Sequence, residues 1–291
     1  FERGFRTKNG SIRTPQSIQS YATLATIIFQ TNQNEQHGGQ AIPAFDFFMA
    51  KGVAKSFRKH LASFINFYVA MENGNQADEK SIRTLIKEYL PSIKSTEAER
   101  ETLRIALVAL QIIIDKEHLA RIVEKAYQQT RKDTHQAMEG FIHNLNTMHS
   151  RGGNQVVFSS INYGTDTSAE GRMVIEELLK ATIEGLGTRG EVPVFPIQIF
   201  KVKDGVSYSE KDFEKAMKAE NIEEAMTDRY EAPNFDLLLK ACQTTAKALF
   251  PNFMFLDTPF NKNEKWKADD PQRYIYELAT MGCRTRVFEN V

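Results

Sequence analysis

The stretch NQVVFSSINYGTDTSAEGRMVIEELLKATIEGLG, residues 154–187, decides the fold class. Residues 154–164 are rich in Val, Phe, Ile and Tyr, and this composition is typical of a β-strand. Residues 168–187 have the apolar spacing of a helix and end in glycines, which are common at helix C-termini. A strand followed directly by a helix indicates part of a parallel βαβ arrangement.

Strand and helix signals alternate through the rest of the second half. Apolar runs at residues 191–205 and 251–260 predict strands, and the pattern between them, at residues 232–250, predicts a helix. A further short helix is predicted over residues 270–282. Strands separated by helices are typical of a parallel sheet or barrel. Residues 14–150 carry mostly helical patterns, so we predict an α/β fold with a helix-rich first half.

Helix-start signals mark two of the helices in the first half. Thr14 followed by Pro15 has the N-cap and first-turn residues that favour a helix start. Thr96 and Glu99 have the spacing of a capping box, in which each side chain bonds the other residue's backbone N–H. Both pairs predict helix N-termini.

Charge and cysteine content exclude several classes of protein. Lys and Arg together number 37, as do Asp and Glu, so the balanced charge gives no overall attraction to nucleic acid or an anionic membrane. Two cysteines do not make a disulfide framework, which favours a reducing, cytoplasmic setting. No apolar run approaches the roughly 18–20 residues of a membrane span. The polar start is unlike a signal peptide, and both ends resemble cuts through a longer protein.

Some conspicuous features favour structural roles. GLGTRG, residues 185–190, matches G-x-G-x-x-G, but a helix precedes it and a strand follows, which is the reverse of a dinucleotide site. We interpret it as a helix end and turn. His135, His143 and His149 lack metal-pair spacing and are expected to be structural or exposed. Cys242 lies in an apolar helix and is expected to be an inert, buried thiol.

Two glycine-containing segments are candidates for ligand binding. In QHGGQAIP, residues 36–43, glycines let backbone amides approach a ligand closely, although a tight turn with a surface histidine fits equally. In SRGGNQVVFSSINYGTD, residues 150–166, an arginine able to pair with phosphate precedes a strand rich in hydroxyl and amide groups. The alternative is an edge strand with a polar face. The candidate residues are His37, Gly38, Gly39, Gln40, Arg151, Gln155, Ser159, Ser160 and Asn162.

Cys283 in the segment MGCRTRV is the main candidate for chemistry. Neighbouring cations such as Arg284 lower the pKa of a thiol and favour a nucleophile or redox group. No Cys-x-x-Cys motif and no adjacent histidine completes that pattern. The alternative interpretation of Cys283 is a free thiol on a surface loop.

Four segments together carry a resemblance to a known family. They resemble the anaerobic (class III) ribonucleoside-triphosphate reductases, and the resemblance covers essentially the whole chain. It implies a glycyl radical enzyme with a ten-stranded α/β barrel, built from two half-barrels around a finger loop with a cysteine at its tip. On this basis residues 1–291 are part of the catalytic barrel domain, comprising much of the first half-barrel and the start of the finger, and residues 74–130 are interpreted as a helical insertion. The segments are GFRTKNGSIRTPQSI (4–18), NQNEQHGGQAIPAFDFFMA (32–50), SRGGNQVVFSSINYGTDTS (150–168) and YELATMGCRTRVFENV (276–291).

The resemblance also implies a radical mechanism. Cys283 matches the finger cysteine, which loses a hydrogen atom to a glycyl radical and then, as a thiyl radical, removes the substrate's 3′-hydrogen. The 2′-hydroxyl leaves as water, and formate supplies the reducing electrons in many members. A second active-site cysteine precedes the start of this chain, and Cys242 is in the wrong context to replace it. The glycyl radical site and a four-cysteine zinc site are expected beyond residue 291, so the chain should hold no metal and be inactive alone.

Partners follow from the same resemblance. Ribonucleoside triphosphates are the implied substrates, dNTP and ATP the effectors, and a radical-SAM enzyme the activator. The family binds deoxynucleotide effectors at a homodimer interface, here expected near residues 15–30 and 50–70, with Gln30 and Lys59 as candidate ligands. One alternative is another glycyl radical enzyme such as a pyruvate formate-lyase relative, although that subfamily has two adjacent cysteines at the tip. The other is a nucleotide-binding or dimerisation module without chemistry.

Overall fold

A four-stranded parallel sheet is the centre of the molecule. The computed structural model describes residues 5–7, 10–35, 38–73, 77–151, 155–282 and 285–287. Within these residues the sheet has the order β3-β6-β7-β8, and all its pairs are parallel. Its strands are β3 (Gln40–Ile42), β6 (Ser159–Tyr163), β7 (Ile197–Val202) and β8 (Asn252–Phe255).

Helices connect the successive strands, as parallel pairing requires. Four of them lie between β3 and β6, one between β6 and β7, and three between β7 and β8. The predicted α/β fold with a parallel sheet is thus confirmed, whereas the ten-stranded barrel remains an expectation. The helices are α1 (Ile18–Glu35), α2 (Phe45–Asn73), α3 (Glu79–Tyr89), α4 (Glu97–Leu107), α5 (Lys116–Thr147), α6 (Ala169–Glu184), α7 (Glu210–Ala216), α8 (Ile222–Thr227) and α9 (Phe235–Ala248).

Three short antiparallel pairs complete the described strands. They are β1 (Phe5–Thr7) with β2 (Gly10–Ile12), β4 (His149–Arg151) with β5 (Gln155–Val156), and β9 (Ala279–Met281) with β10 (Thr285–Val287). The last pair is called the hairpin below. No described helix has the length and apolarity to cross a membrane.

The long helices α2 and α5 form the main core together with α1 and α6. Phe45 on α2 and Phe141 on α5 have ring centroids 5.0 Å apart, and Tyr163 and Phe200 extend the same apolar cluster onto the sheet. Burial of such aromatic side chains dominates core energetics. Helices α3 and α4, within the segment interpreted as an insertion, pack onto α2 and α5.

Two local predictions are confirmed by the structure. Thr96 and Glu99 form the predicted capping box at the start of α4. Gly185 follows α6 with φ +74°, and a Cβ there would lie 2.6 Å from the Gly190 carbonyl, so GLGTRG is a helix end and turn.

Other local expectations were wrong. Helix α1 starts at Ile18, three residues after Pro15, and residues 155–163 form two strands, β5 and β6, instead of one. The predicted helix over 270–282 is a 3₁₀ turn at Arg273–Tyr276 followed by β9. In that segment, bonds to the central sheet compete with helix formation. Cys242, expected to be buried, is exposed on α9.

Candidate active site

The hairpin lies on the face of the sheet turned away from α2 and α6. Side chains alternate between the two faces of a strand. Ile161 and Tyr163 of β6 join the helix-side core. Ser160 and Asn162 point to the opposite face, where Asn162 bonds the backbone of Thr280 in β9 and Ser160 bonds the backbone of Gly282. The sheet therefore carries the segment that leads into Cys283.

Two β6 side chains hold this segment through its backbone. Asn162 Oδ1 accepts a hydrogen bond from Thr280 N at 2.9 Å, and its Nδ2 donates to Thr280 O, also at 2.9 Å. Ser160 Oγ accepts from Gly282 N at 2.8 Å. Both β6 residues have no solvent-exposed surface, so water cannot readily replace these bonds.

Strand β3 brings the glycine motif to the same place. Gln40 pairs with Ser159 in the parallel register, and Gln40 N donates to the Phe158 carbonyl at 3.0 Å. A Cβ added to Gly39 would lie 2.4 Å from Met281 Sδ and 2.5 Å from Phe158 Cδ1. The missing side chain at Gly39 therefore makes room for β9. The segments 38–42, 158–163 and 279–282 thus meet in space.

The remaining sequence candidates divide into four groups. Some use their polar groups elsewhere: the Gln40 amide donates to the Phe29 carbonyl at 2.8 Å, and the Ser159 hydroxyl to the Val157 carbonyl at 3.2 Å. Gly38 has φ +102° and open space around its Cα. Arg151 and Gln155, described only as backbone, belong to the separate β4–β5 pair. His37 and Cys283 lie outside the described residues.

The two candidate effector residues occupy α1 and α2. Gln30 has a buried side-chain nitrogen without a hydrogen-bond partner among the described residues, and Lys59 is exposed. Nothing in their geometry identifies a nucleotide site. Among the described residues, no group of three His, Cys, Asp or Glu side chains is arranged to hold a metal ion.

A buried ion pair that sequence reasoning missed anchors the approach to the hairpin. Lys201 Nζ of β7 lies 3.1 Å from Glu277 Oε2, with side chains 1% and 0% exposed. The same carboxylate accepts from Thr165 Oγ1 at 2.7 Å and, through Oε1, from Trp266 Nε1 at 3.1 Å. The only signal in the sequence was a lysine within the apolar run IQIFKV, and its partner lies 76 residues away.

Two buried carboxyl groups, those of Asp46 and Asp166, lie near each other at the end of β6. Asp46 Oδ2 accepts from the backbone N–H groups of Gly164, Thr165 and Asp166 at 2.8–3.1 Å. Burial and, to a smaller extent, the nearby Asp46 carboxylate together raise the pKa of Asp166 to about 7, against the opposing hydrogen bonds from Ser168. Burial also raises the pKa of Asp46, against the opposing effect of those N–H donors. A Cβ at Gly171 would lie 2.2 Å from the Asp166 carboxyl, so only glycine fits there.

Replacing Asp166 with asparagine should flatten the pH dependence of stability. The folded chain retains a proton on Asp166 that the unfolded chain loses near pH 4, so this group stabilises the fold at low pH and the effect fades as pH rises to about 7. Asparagine mimics the protonated carboxyl at every pH. Between pH 5 and 7 the free energy of unfolding of the wild type should fall, relative to that of Asp166→Asn, by up to about 1.4 kcal/mol per pH unit. Thermal midpoints of the full-length protein across this range measure the difference, and parallel pH profiles would contradict it.

Fold and site together define a class of protein. It is an α/β protein with a parallel sheet. On the face of the sheet turned away from α2 and α6, β6 binds strand β9, which precedes Cys283 in the sequence. The chain belongs to the family described as anaerobic ribonucleoside-triphosphate reductase, because the model of that family matches residues 1–290. This confirms the resemblance carried by the sequence motifs.

Individual relatives agree with the family match. The chain is 22% identical over 284 residues to the anaerobic ribonucleoside-triphosphate reductase of Enterobacteria phage T4, covering 98% of this chain and 34% of the relative. The enzymes of that name from Salmonella typhimurium and Escherichia coli are 23% and 22% identical over 290 residues, covering 99% of this chain and 29% of each relative. The chain thus spans about a third of the length of the curated relatives it matches.

Proposed function

We propose that the full-length protein containing this chain reduces ribonucleoside triphosphates to deoxyribonucleoside triphosphates by radical chemistry. The family match supports the reaction class. The observation that carries the assignment within this chain is the fixed backbone just before Cys283, where Ser160 and Asn162 bond Gly282 and Thr280. A thiol that must meet one carbon of a bound sugar needs such a rigid support.

The proposed chemistry uses Cys283 as a hydrogen-atom carrier. A glycyl radical elsewhere in the full-length protein would take the hydrogen atom from the Cys283 thiol. The sulfur then takes the 3′-hydrogen of the ribose, and the 2′-hydroxyl departs as water after protonation. Formate supplies two electrons and becomes carbon dioxide. The net reaction converts a ribonucleotide, formate and a proton into a deoxyribonucleotide, carbon dioxide and water, so atoms and electrons balance.

The remaining family expectations extend this proposal to partners. We propose that dNTP and ATP act as effectors, that the protein is a homodimer, that a radical-SAM enzyme charges the glycine, and that a zinc site lies outside this chain. Residues 1–291 would form part of the catalytic barrel domain. Their support is the family match alone.

The test is reduction of a nucleotide by the full-length protein. The protein is activated anaerobically with its activating enzyme and supplied with a ribonucleoside triphosphate and carbon-13 formate. Chromatography should show one deoxynucleotide formed per labelled carbon dioxide released. Protein that has not been activated is the control. Nucleotide binding without product in the activated sample would contradict the proposal and favour the binding module without chemistry.

A further inference from the structure

The route of the chain across the sheet shows an unusual kind of strand pairing. Residues 277–282 run antiparallel to residues 160–165, yet among the described residues β9 has a backbone ladder only with β10. Side chains make the connections: Ser160 to Gly282, Asn162 to Thr280, and Thr165 to Glu277. Moving two or five residues forward from Ser160 corresponds to moving the same number of residues back from Gly282, as in a regular antiparallel register. Among the described residues, hydrogen bonds that involve side chains therefore define the register of the hairpin on the sheet.

Asn162 is suited to this task by its chemistry. A carboxamide presents one acceptor and two donors on the same planar group. It therefore satisfies both backbone groups of Thr280 at once, with Oδ1 and Nδ2 each at 2.9 Å. The same Nδ2 lies 3.4 Å from the Ile42 carbonyl of β3. This arrangement fixes both the height and the rotation of β9 above the sheet.

Gly282 is held at the last described position before Cys283. Its N–H donates to Ser160 Oγ, and its φ of +62° lies in the left-handed region. A Cβ there would lie 3.5 Å from the Phe158 ring, so the residue is enclosed as well as bonded. The pairing of Met281 with Thr285 leaves residues 282–284 to connect the two strands. The start of that connection is thus set from the sheet.

We propose that Ser160 and Asn162 are positioning residues, which set the depth at which the hairpin presents Cys283 to the ribose. The inference rests on the proposed function. Atom transfer between two centres requires contact at about 3–3.5 Å, and a displacement of about 1 Å can cost on the order of 10²-fold in rate. Neither residue needs to touch the substrate for this effect.

Ser207 provides a matched control outside the candidate site. It is a serine with no exposed surface, like Ser160, and its hydroxyl likewise accepts a backbone N–H, that of Lys203 at 3.0 Å. Ser207→Ala removes a buried hydroxyl whose bonds to the backbone of Lys201 and Lys203 lie outside the hairpin. Any effect of Ser160→Ala beyond that of Ser207→Ala therefore reports the bond to Gly282.

The first measurement is residue-resolved amide hydrogen exchange in the full-length protein. Ser160→Ala should speed exchange at the Gly282 amide, and Asn162→Ala at the Thr280 amide, each by about fivefold to tenfold, because one hydrogen bond of modest net strength is lost. Amides of the β6–β7 ladder should exchange as in the wild type. Unchanged exchange at Gly282 and Thr280, or faster exchange across the whole sheet, would overturn the inference.

The second measurement separates positioning from binding and from radical charging. In both variants the glycyl radical signal in electron paramagnetic resonance should match the wild type. The value of kcat should fall by about 10²-fold with KM nearly unchanged, whereas Ser207→Ala should keep normal turnover. Normal kcat despite faster local exchange would overturn the positioning role and leave the proposed function standing. If the wild type itself forms no deoxynucleotide, the proposed function fails, and exchange at Gly282 and Thr280 still decides whether the two side chains hold the hairpin.

Discussion

Replacing Cys283 with alanine in the full-length protein is expected to abolish nucleotide reduction while leaving the glycyl radical signal intact. In the proposed mechanism the sulfur is the only group that carries the hydrogen atom between the radical site and the ribose. Removal of an essential catalytic group typically costs on the order of 10⁴-fold or more. Deoxynucleotide formation measures the loss, and electron paramagnetic resonance measures the radical.

The other cysteine of the chain is the matched control. Cys242 is exposed on α9, far along the chain from the hairpin, so Cys242→Ala should keep both radical and turnover. Cys283→Ser tests whether a hydroxyl of similar size can substitute. An oxygen–hydrogen bond is stronger than a sulfur–hydrogen bond, and serine should therefore fail as alanine does. Continued nucleotide reduction by Cys283→Ala would show that the hairpin has a structural or regulatory role instead.

Replacing Lys201 with methionine should cause the largest loss of stability. The change leaves the Glu277 carboxylate buried without its cation, and in the described part of the chain its remaining donors are the Thr165 hydroxyl and the Trp266 indole. Removing one partner of a buried ion pair typically costs about 3–5 kcal/mol. Exchange of the β6 and β7 amides in the full-length protein reports the opening free energy of this sheet and should show the loss.

Two further variants isolate the cause of that loss. The double change Lys201→Met with Glu277→Gln removes both charges and should recover much of the stability, because an uncompensated buried charge is the costly element. Lys215→Met breaks the exposed pair with Asp228 and should change the exchange little, since solvent screens that pair. Equal effects of Lys201→Met and Lys215→Met would show that burial of the Lys201 pair carries no special weight.

The sequence by itself determined the features that depend on neighbouring residues. Alternating strand and helix patterns predicted the parallel sheet, and the Thr96–Glu99 spacing predicted a capping box that the structure contains. The position of GLGTRG between a helix and a strand predicted a helix end and turn, and Gly185, with φ +74° at the end of α6, confirms it. Helix periodicity, capping and glycine conformation act within a few residues, so a local pattern can encode them.

Only the tertiary structure decided how distant segments meet. Asn162 and Thr280 are 118 residues apart, and no local pattern predicts that one carboxamide will bond both backbone groups of the other residue. That contact, with the buried Lys201–Glu277 pair, places a strand where a helix was predicted. The pKa of Asp166 likewise depends on burial beside Asp46, which is 120 residues away. Hydrogen bonds and desolvation depend on distance in space, and the folded chain alone defines those distances.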